Sequence, residues 1–289
     1  MDPDATCDSV PERIRLLISD VDGTLVTPQK ALTARTCEAV NRLRDAGVAL
    51  AITSSRPPRG LRMLVEPLRL TTPIAAYNGG LYAWPDMSVI DQIRLPADVA
   101  RAVIRVIQSH GLSVWVYCGC DWFVLDRRGP HVGREERAVQ FPATVVRDFD
   151  HMPGDAVKIV GVSDDLEAVA RCEADAREEV GNQVSASRSQ PYYLDVTHPR
   201  ANKGNVVQRL AEMLGVTTGE IATIGDSAND VLMFARSGLS IAMGNASPQV
   251  QRAARRVTAS NEQEGFARAV ECYILSEHNS LVAMMAGAG

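Results

Sequence analysis

Short apolar runs alternating with amphipathic stretches occupy both ends of the 289-residue chain, and the runs tend to stop at polar or acidic residues. Leu16-Leu17-Ile18-Ser19 stops at Asp20. A strand buried on both faces reads as such a continuous run rather than as an alternation. Thr33 is placed to cap a helix with Cys37, Val40 and Leu43 on one face, and Gly47 to end it. A strand over residues 48–52, a short helix over 61–68 and a strand over 73–77 follow. Strand and helix in turn predict an α/β fold with a doubly wound, mostly parallel sheet. The same rhythm returns near Lys203. Val206, Val207, Leu210 and Leu214 mark a helix stopped by Gly215, and strands are expected over 221–224 and 239–243. A helix over 230–236 lies between those strands, and Ser247-Pro248 opens another.

The middle of the chain reads differently. Pro96 opens a helix with Val99, Val103 and Ile107 on one face, and two alternating runs, 113–117 and 122–125, predict a hairpin. A polar stretch with Arg127, Arg128, Arg134 and Arg137 is expected to be irregular. A strand (157–162), a helix (166–180) and two strands (184–187 and 192–196) then repeat the pattern of helix plus paired strands. Such units suggest a separate α+β module inserted into the first domain. The expected division is a discontinuous core of residues 13–83 and 195–275, an inserted module of 84–194, and loosely held termini, 1–12 and 280–289.

Composition removes other classes. Hydrophobic residues make up 46% and charged residues 22%, enough for a sizeable core. A net charge of -5 argues against nucleic acid or an anionic membrane as the main partner. No window holds the ~18 uninterrupted apolar residues of a membrane helix. The acidic start of the chain is unlike a signal peptide, so a cytoplasmic protein, monomer or homodimer, is expected. Cys7, Cys37, Cys118, Cys120, Cys172 and Cys272 form no C-x-x-C pair, and Cys118-Gly-Cys120 reads as a hairpin turn rather than a redox or metal site.

Chemistry concentrates at the ends of the predicted strands, where open α/β sheets bind ligands. Asp20-Val21-Asp22-Gly23-Thr24 follows the first. Two carboxylates so close repel unless a cation lies between them; one can attack an electrophile while the other handles a proton. Gly23 permits a tight turn whose amide faces an anion. An acidic turn without function would carry the same residues. Gly225-Asp226-Ser227-Ala228-Asn229-Asp230 follows a later strand and supplies the oxygen ligands that Mg²⁺ requires, although Asn229 or Asp230 would equally start the next helix. Ser54, after the second strand, offers a hydroxyl to a phosphate oxygen, and Lys203 places an ammonium at a helix N-terminus; taken singly, each also reads as surface.

This order of motifs resembles the haloacid dehalogenase-like phosphatases, and most closely their Cof-type subgroup with a large cap. Asn78-Gly79-Gly80, Ala242-Met243-Gly244-Asn245-Ala246 and the segment from Thr258 to Gly265 also look like that subgroup, and the likeness runs from Leu16 to Val270. The resemblance implies a Rossmann-like core sheet with an inserted α+β cap. It implies Asp20 as the nucleophile that forms an aspartyl-phosphate and Asp22 as general acid, then base. Mg²⁺ would be held by Asp20, the carbonyl of Asp22 and Asp226, with Asn229 or Asp230 assisting. Ser54, Lys203 and the Gly23 amide would hold the phosphoryl group, with Asn78 and Arg56 near the leaving group. One departure is Ser54-Ser55-Arg56 where the subgroup usually reads Thr-Gly-Arg. Ser keeps the hydroxyl; Ser55 for glycine puts the local backbone and leaving-group fit in question.

The reading is a Mg²⁺-dependent phosphatase of a small phosphorylated metabolite, most simply a sugar phosphate. A sugar phosphomutase with the same motifs is the nearest rival. A non-catalytic phosphate or metal sensor is a second, against which the intact Asp22 argues. Lys158, Arg188, Tyr192 and the arginines of 127–137 are cap residues able to reach a substrate or to sit solvated on a sheet, whereas Trp115 and Trp122 read as cap core.

Overall fold

The computed structural model describes residues 13–276; the expected loose termini and Cys7 lie outside that range. In chain order the first strands are β1 (Leu16–Asp20), β2 (Ala49–Thr53), β3 (Ile74–Ala76), β4 (Leu81–Ala83) and β5 (Val89–Gln92). The middle adds β6 (Ser113–Cys118), β7 (Asp121–Val124), β8 (Thr144–Val145), β9 (Ala156–Val162), β10 (Ser185–Gln190) and β11 (Tyr193–Thr197). The last part adds β12 (Ile221–Gly225), β13 (Leu239–Ala242) and β14 (Arg256–Val257). The helices are α1 (Ala34–Asp45), α2 (Val65–Leu68), α3 (Ala97–Ser109), α4 (Val132–Val139), α5 (Leu166–Val180), α6 (Lys203–Leu214), α7 (Val231–Phe234), α8 (Pro248–Ala253) and α9 (Gly265–Ala269). The chain forms two compact units, one of the described residues up to Leu50 and from Val207 onward, the other of Ala51–Val206.

In the first unit the strands run β14-β13-β12-β1, all parallel. Leu16, Leu17, Ile18, Ile221 and Ile224 have no exposed surface, which is why these strands read as unbroken apolar runs. Ser19 lies in register with Ile224, so the carboxyl ends of β1 and β12 finish side by side. Helix α1 begins as expected: the Thr33 side chain accepts from the Thr36 N–H, and Gly47 follows its end at a φ of +75°. Thr33 Oγ1 also donates to Glu264 Oε2 at 2.7 Å, tying the start of α1 to that of α9.

The second unit holds β2 and β3 in parallel and adds β4 and β5 as an antiparallel extension. That hairpin was not expected, because three- and four-residue strands are too short to show a period. The cap sheet runs β10-β11-β9-β6-β7-β8 and is antiparallel except for β7 with β8. Helices α3 and α5 close one face of it over Val114, Val116, Ile159 and Leu194. Trp115 and Trp122 are 1% and 0% exposed, core residues as read. The polar stretch expected to be irregular contains α4, a correction with a simple cause. The helix has eight residues, His131 and Gln140 flank it at φ of +60° and +61°, and no side chain caps its N-terminus. Nothing in the sequence announces such ends. No helix among the described residues is long and apolar enough to cross a membrane.

Candidate active site

The parallel register of β1 and β12 sets Asp20 beside Gly225, with Asp226 next. Asp20, Asp226 and Asp230 each bring a carboxylate oxygen within 4.8 Å of the other two. Asp20 is 5% exposed and Asp230 fully buried. Two glycines allow this crowding. A Cβ on Gly23, whose φ is +83°, would stand 2.3 Å from Asp226 Oδ2, and a Cβ on Gly225 would stand 2.3 Å from Asp230 Cγ. The Asp226 carboxylate is held from three directions. Thr24 Oγ1 and Ser227 Oγ donate to Oδ1 at 3.3 and 3.4 Å, and Asn245 Nδ2 donates to Oδ2 at 3.2 Å. Asn245 Nδ2 also donates to the Gly23 carbonyl at 2.9 Å.

Asp230 combines the two readings its sequence position left open. Its Oδ2 accepts from the N–H groups of Asp226 and Ser227 at 2.9 and 2.8 Å, closing a capping box with Ser227. It therefore starts the helical turn and also stands in the carboxylate cluster. Asn229 lies in that same turn, Ala228–Asp230. Asp22 stands apart from the trio: Lys30 Nζ is 2.6 Å from its Oδ1, an ion pair open to solvent. Three clustered carboxylates, two of them desolvated, repel one another unless a cation lies among them. Their donor set is all hard oxygen, so the residues present fit Mg²⁺.

The second-motif residues gather in the other unit. Asn78 N–H donates to the Ser54 carbonyl at 2.8 Å, Arg56 N–H to Ser54 Oγ at 3.2 Å, and Tyr77 N–H to the Arg56 carbonyl at 3.1 Å. The Arg56 guanidinium donates to the Gly60 carbonyl at 3.2 Å. Ser54, Arg56 and Asn78 thus form one structure, with Asn78 at a φ of +57°. Ser55 is outside the left-handed region, so replacing the usual glycine strains no backbone there. Lys203 opens α6 with only 2% of its surface exposed.

Several residues escaped the sequence reading of the site. Thr24, Lys30, Asn245 and Asn261 bond to the loops that follow β1 and β12; Asn261 donates from Nδ2 to the Val26 carbonyl, and from its N–H to Asn245 Oδ1, both at 3.0 Å. The segments around Asn245 and Asn261 stood out only by their resemblance, which attached no role to either side chain. Burial pushes the Cys118 and Cys172 thiols up to about 12 and raises Cys120, so none supplies a thiolate near neutrality. Arg127 pairs with Glu136 and Arg188 with Glu173, both at 2.8 Å, the solvated reading of those cap arginines.

These motifs and their fold place the chain among the haloacid dehalogenase-like hydrolases: the family's sequence profile matches residues 17–270, so the chain belongs to that family, in its Cof-type subgroup. It is an enzyme of the phosphoric monoester hydrolase class. It is 27% identical over 265 residues to 5-amino-6-(5-phospho-D-ribitylamino)uracil phosphatase of Bacillus subtilis, covering 89% of this chain and 97% of that one. Pyridoxal phosphate phosphatase of Escherichia coli is 25% identical over 90% of this chain and 99% of its own. The crystal structure of a haloacid dehalogenase-like hydrolase from Bacteroides thetaiotaomicron superposes with a TM-score of 0.83 at 27% identity, covering 90% and 99% of the two chains.

Proposed function

We propose that the protein is a Mg²⁺-dependent phosphatase that hydrolyses a small phosphorylated metabolite, a sugar phosphate first, through a phosphorylated Asp20. The observation that carries this reading is the carboxylate trio Asp20, Asp226 and Asp230 at neighbouring strand ends, with Asp20 and Asp230 buried. Asp20, Asp226 and Asp230, with the Asp22 carbonyl and Asn229, are the groups to hold Mg²⁺, which when bound neutralises charge on the transferring phosphoryl group. Asp20 attacks phosphorus as the bond to the leaving oxygen breaks, and Asp22 gives that oxygen a proton. Asp22, now a carboxylate, takes a proton from the water that attacks phosphorus and frees Asp20. Lys30 pairs with the Asp22 carboxylate in the resting state; that pair opens as substrate binds, and Asp22 takes up from solvent the proton that it then gives the leaving oxygen. Ser54, Lys203 and the Gly23 amide bind phosphoryl oxygens, and Asn78 and Arg56 serve the leaving group. Residues 84–194 form the cap that selects it.

A panel of phosphorylated metabolites and p-nitrophenyl phosphate, assayed for released phosphate with Mg²⁺ and then with EDTA, tests the proposal. Metal-dependent release is expected. No release from any of them overturns it and restores the sensor reading. Turnover only with an added sugar bisphosphate would favour the phosphomutase.

A further inference from the structure

Two loops of the second unit carry residues that the phosphatase reading uses, and both are fastened to the cap by direct contacts. The first loop leaves the end of β2. Two residues beyond Ser54, Arg56 donates from its guanidinium to the Gly60 carbonyl at 3.2 Å. Gly60 lies against the last residue of α4: a Cβ there would stand 3.1 Å from Val139 Cβ and 3.3 Å from Val139 Cα, an approach that favours glycine. Arg59 spans the same seam. Its guanidinium lies 4.4 Å from the centroid of the Phe141 ring, just beyond α4, and pairs with Asp121 at the start of β7.

The second loop follows β3. Tyr77, Asn78 and Gly79 stand in succession at φ of +51°, +57° and +94°, a run of left-handed backbone that a tyrosine rarely joins. Such a conformation persists where its surroundings over-determine it. The Tyr77 ring, 1% exposed, meets Tyr117 of β6 edge-on at 5.7 Å, and its Oη donates to the Gly119 carbonyl in the β6–β7 turn at 3.0 Å. Gly80 approaches β9, where an added Cβ would stand 3.1 Å from Val157 Cγ1. Tyr117 links these contacts to the first set. Its Oη donates to Glu135 Oε1 of α4 at 3.2 Å, and its ring lies 5.6 Å from Lys158 Nζ, which pairs with Asp195 at 2.9 Å. Backbone bonds join the two loops themselves, Tyr77 N–H to the Arg56 carbonyl and Asn78 N–H to the Ser54 carbonyl.

We infer that Arg59 and Tyr77 are positioning residues: through them α4 and the β6–β7 hairpin hold Ser54, Arg56 and Asn78 in the geometry that receives a phosphoryl group. Neither side chain needs to touch the substrate. Their effect falls on the phosphoryl site itself, so it is shared by every leaving group. The inference rests on the phosphatase reading and extends it from the residues that bind to those that place them.

The test uses inorganic phosphate, which has no leaving group. Its affinity for the Mg²⁺-loaded full chain is measured by calorimetry for Arg59→Ala, for Tyr77→Phe and for the cap pair Asp121→Asn/Phe141→Leu, which leaves both loops unaltered. Each is expected to weaken phosphate binding about fivefold, and to lower kcat/KM by the same factor on p-nitrophenyl phosphate and on a sugar phosphate. A merely structural role would shift the unfolding midpoint but not the phosphate affinity of the folded protein. Arg59→Ala added to the cap pair should bring no further loss, because its partners are already gone. Additive losses would place Arg59 on the substrate itself and overturn the inference. Wild-type phosphate affinity in all three proteins would also overturn it while leaving the phosphatase reading intact. Wild-type protein that neither binds phosphate nor releases it from any substrate would bring down that reading first, and these roles with it.

Discussion

Replacing Gly23 by alanine acts on the carboxylate cluster without altering any carboxylate. The added Cβ would lie 2.3 Å from Asp226 Oδ2, 2.8 Å from Cγ and 3.1 Å from Oδ1. Ordinary contact requires the carboxylate to retreat by about 1 Å. It has little freedom to do so, because Thr24, Ser227 and Asn245 hold it. The left-handed backbone at φ +83° adds a further cost of about 1–2 kcal/mol for a residue with a side chain. Mg²⁺ demands ligand oxygens at about 2.0–2.1 Å, and sites tolerate deviations of only about 0.2 Å, so a shift of that size removes Asp226 as a ligand. Calorimetric titration of the metal-free protein with Mg²⁺ should show at least a tenfold loss of affinity, about 1.4 kcal/mol. Urea unfolding of the metal-free protein should show a destabilisation of about 1–3 kcal/mol. Wild-type Mg²⁺ affinity in Gly23→Ala would refute the placement of the cation at this cluster.

Other substitutions separate chemistry from architecture. Asp20→Asn should lose at least about a thousandfold in phosphate release while its urea midpoint stays near wild type, since a carboxamide does not attack phosphorus; substantial turnover would exclude Asp20 as the nucleophile. Asp230→Ala removes an acceptor shared by two half-buried N–H groups and should cost about 1–2 kcal/mol in metal-free urea unfolding, the scale of a lost helix cap, whereas a variant more stable than wild type would contradict its loop-holding role. Desolvation raises the Glu135 pKa in the folded state, so folding favours its protonated form. The sign follows from linkage: below the ordinary value of 4.5 the group carries no penalty, and stability is lost as pH rises through the raised folded value. Glu135→Gln should therefore gain stability relative to wild type as pH rises from about 4.5 to neutrality, and a difference independent of pH would deny the shift.

The legible parts of the chain were those where one local constraint dominated. Strand β1 was readable because burial on both faces demanded Leu16-Leu17-Ile18, and Asp20 stood out because it ends that run. Asp230 was half legible: its spacing announced a helix start, while its approach to Asp20 depends on β1 and β12 being neighbours. Asn245 gave no signal of its own, since its partners Gly23 and Asp226 meet it only through the parallel sheet. Helix α4 was hidden by its uncapped, left-handed ends. The cap cluster was hidden for another reason. Tyr117, Lys158 and Asp195 are ordinary on their own strands and become a group only once β6, β9 and β11 are in register.

The central claim is that Asp20 is phosphorylated during turnover. Asp22→Asn protein, mixed with p-nitrophenyl phosphate and Mg²⁺, should accumulate the phosphorylated form, because its loss requires the base that the variant lacks. Acid quenching followed by borohydride reduction and peptide mass spectrometry should then find homoserine at position 20. Reduction at another residue, or none while wild-type protein turns over under the same conditions, would contradict the account.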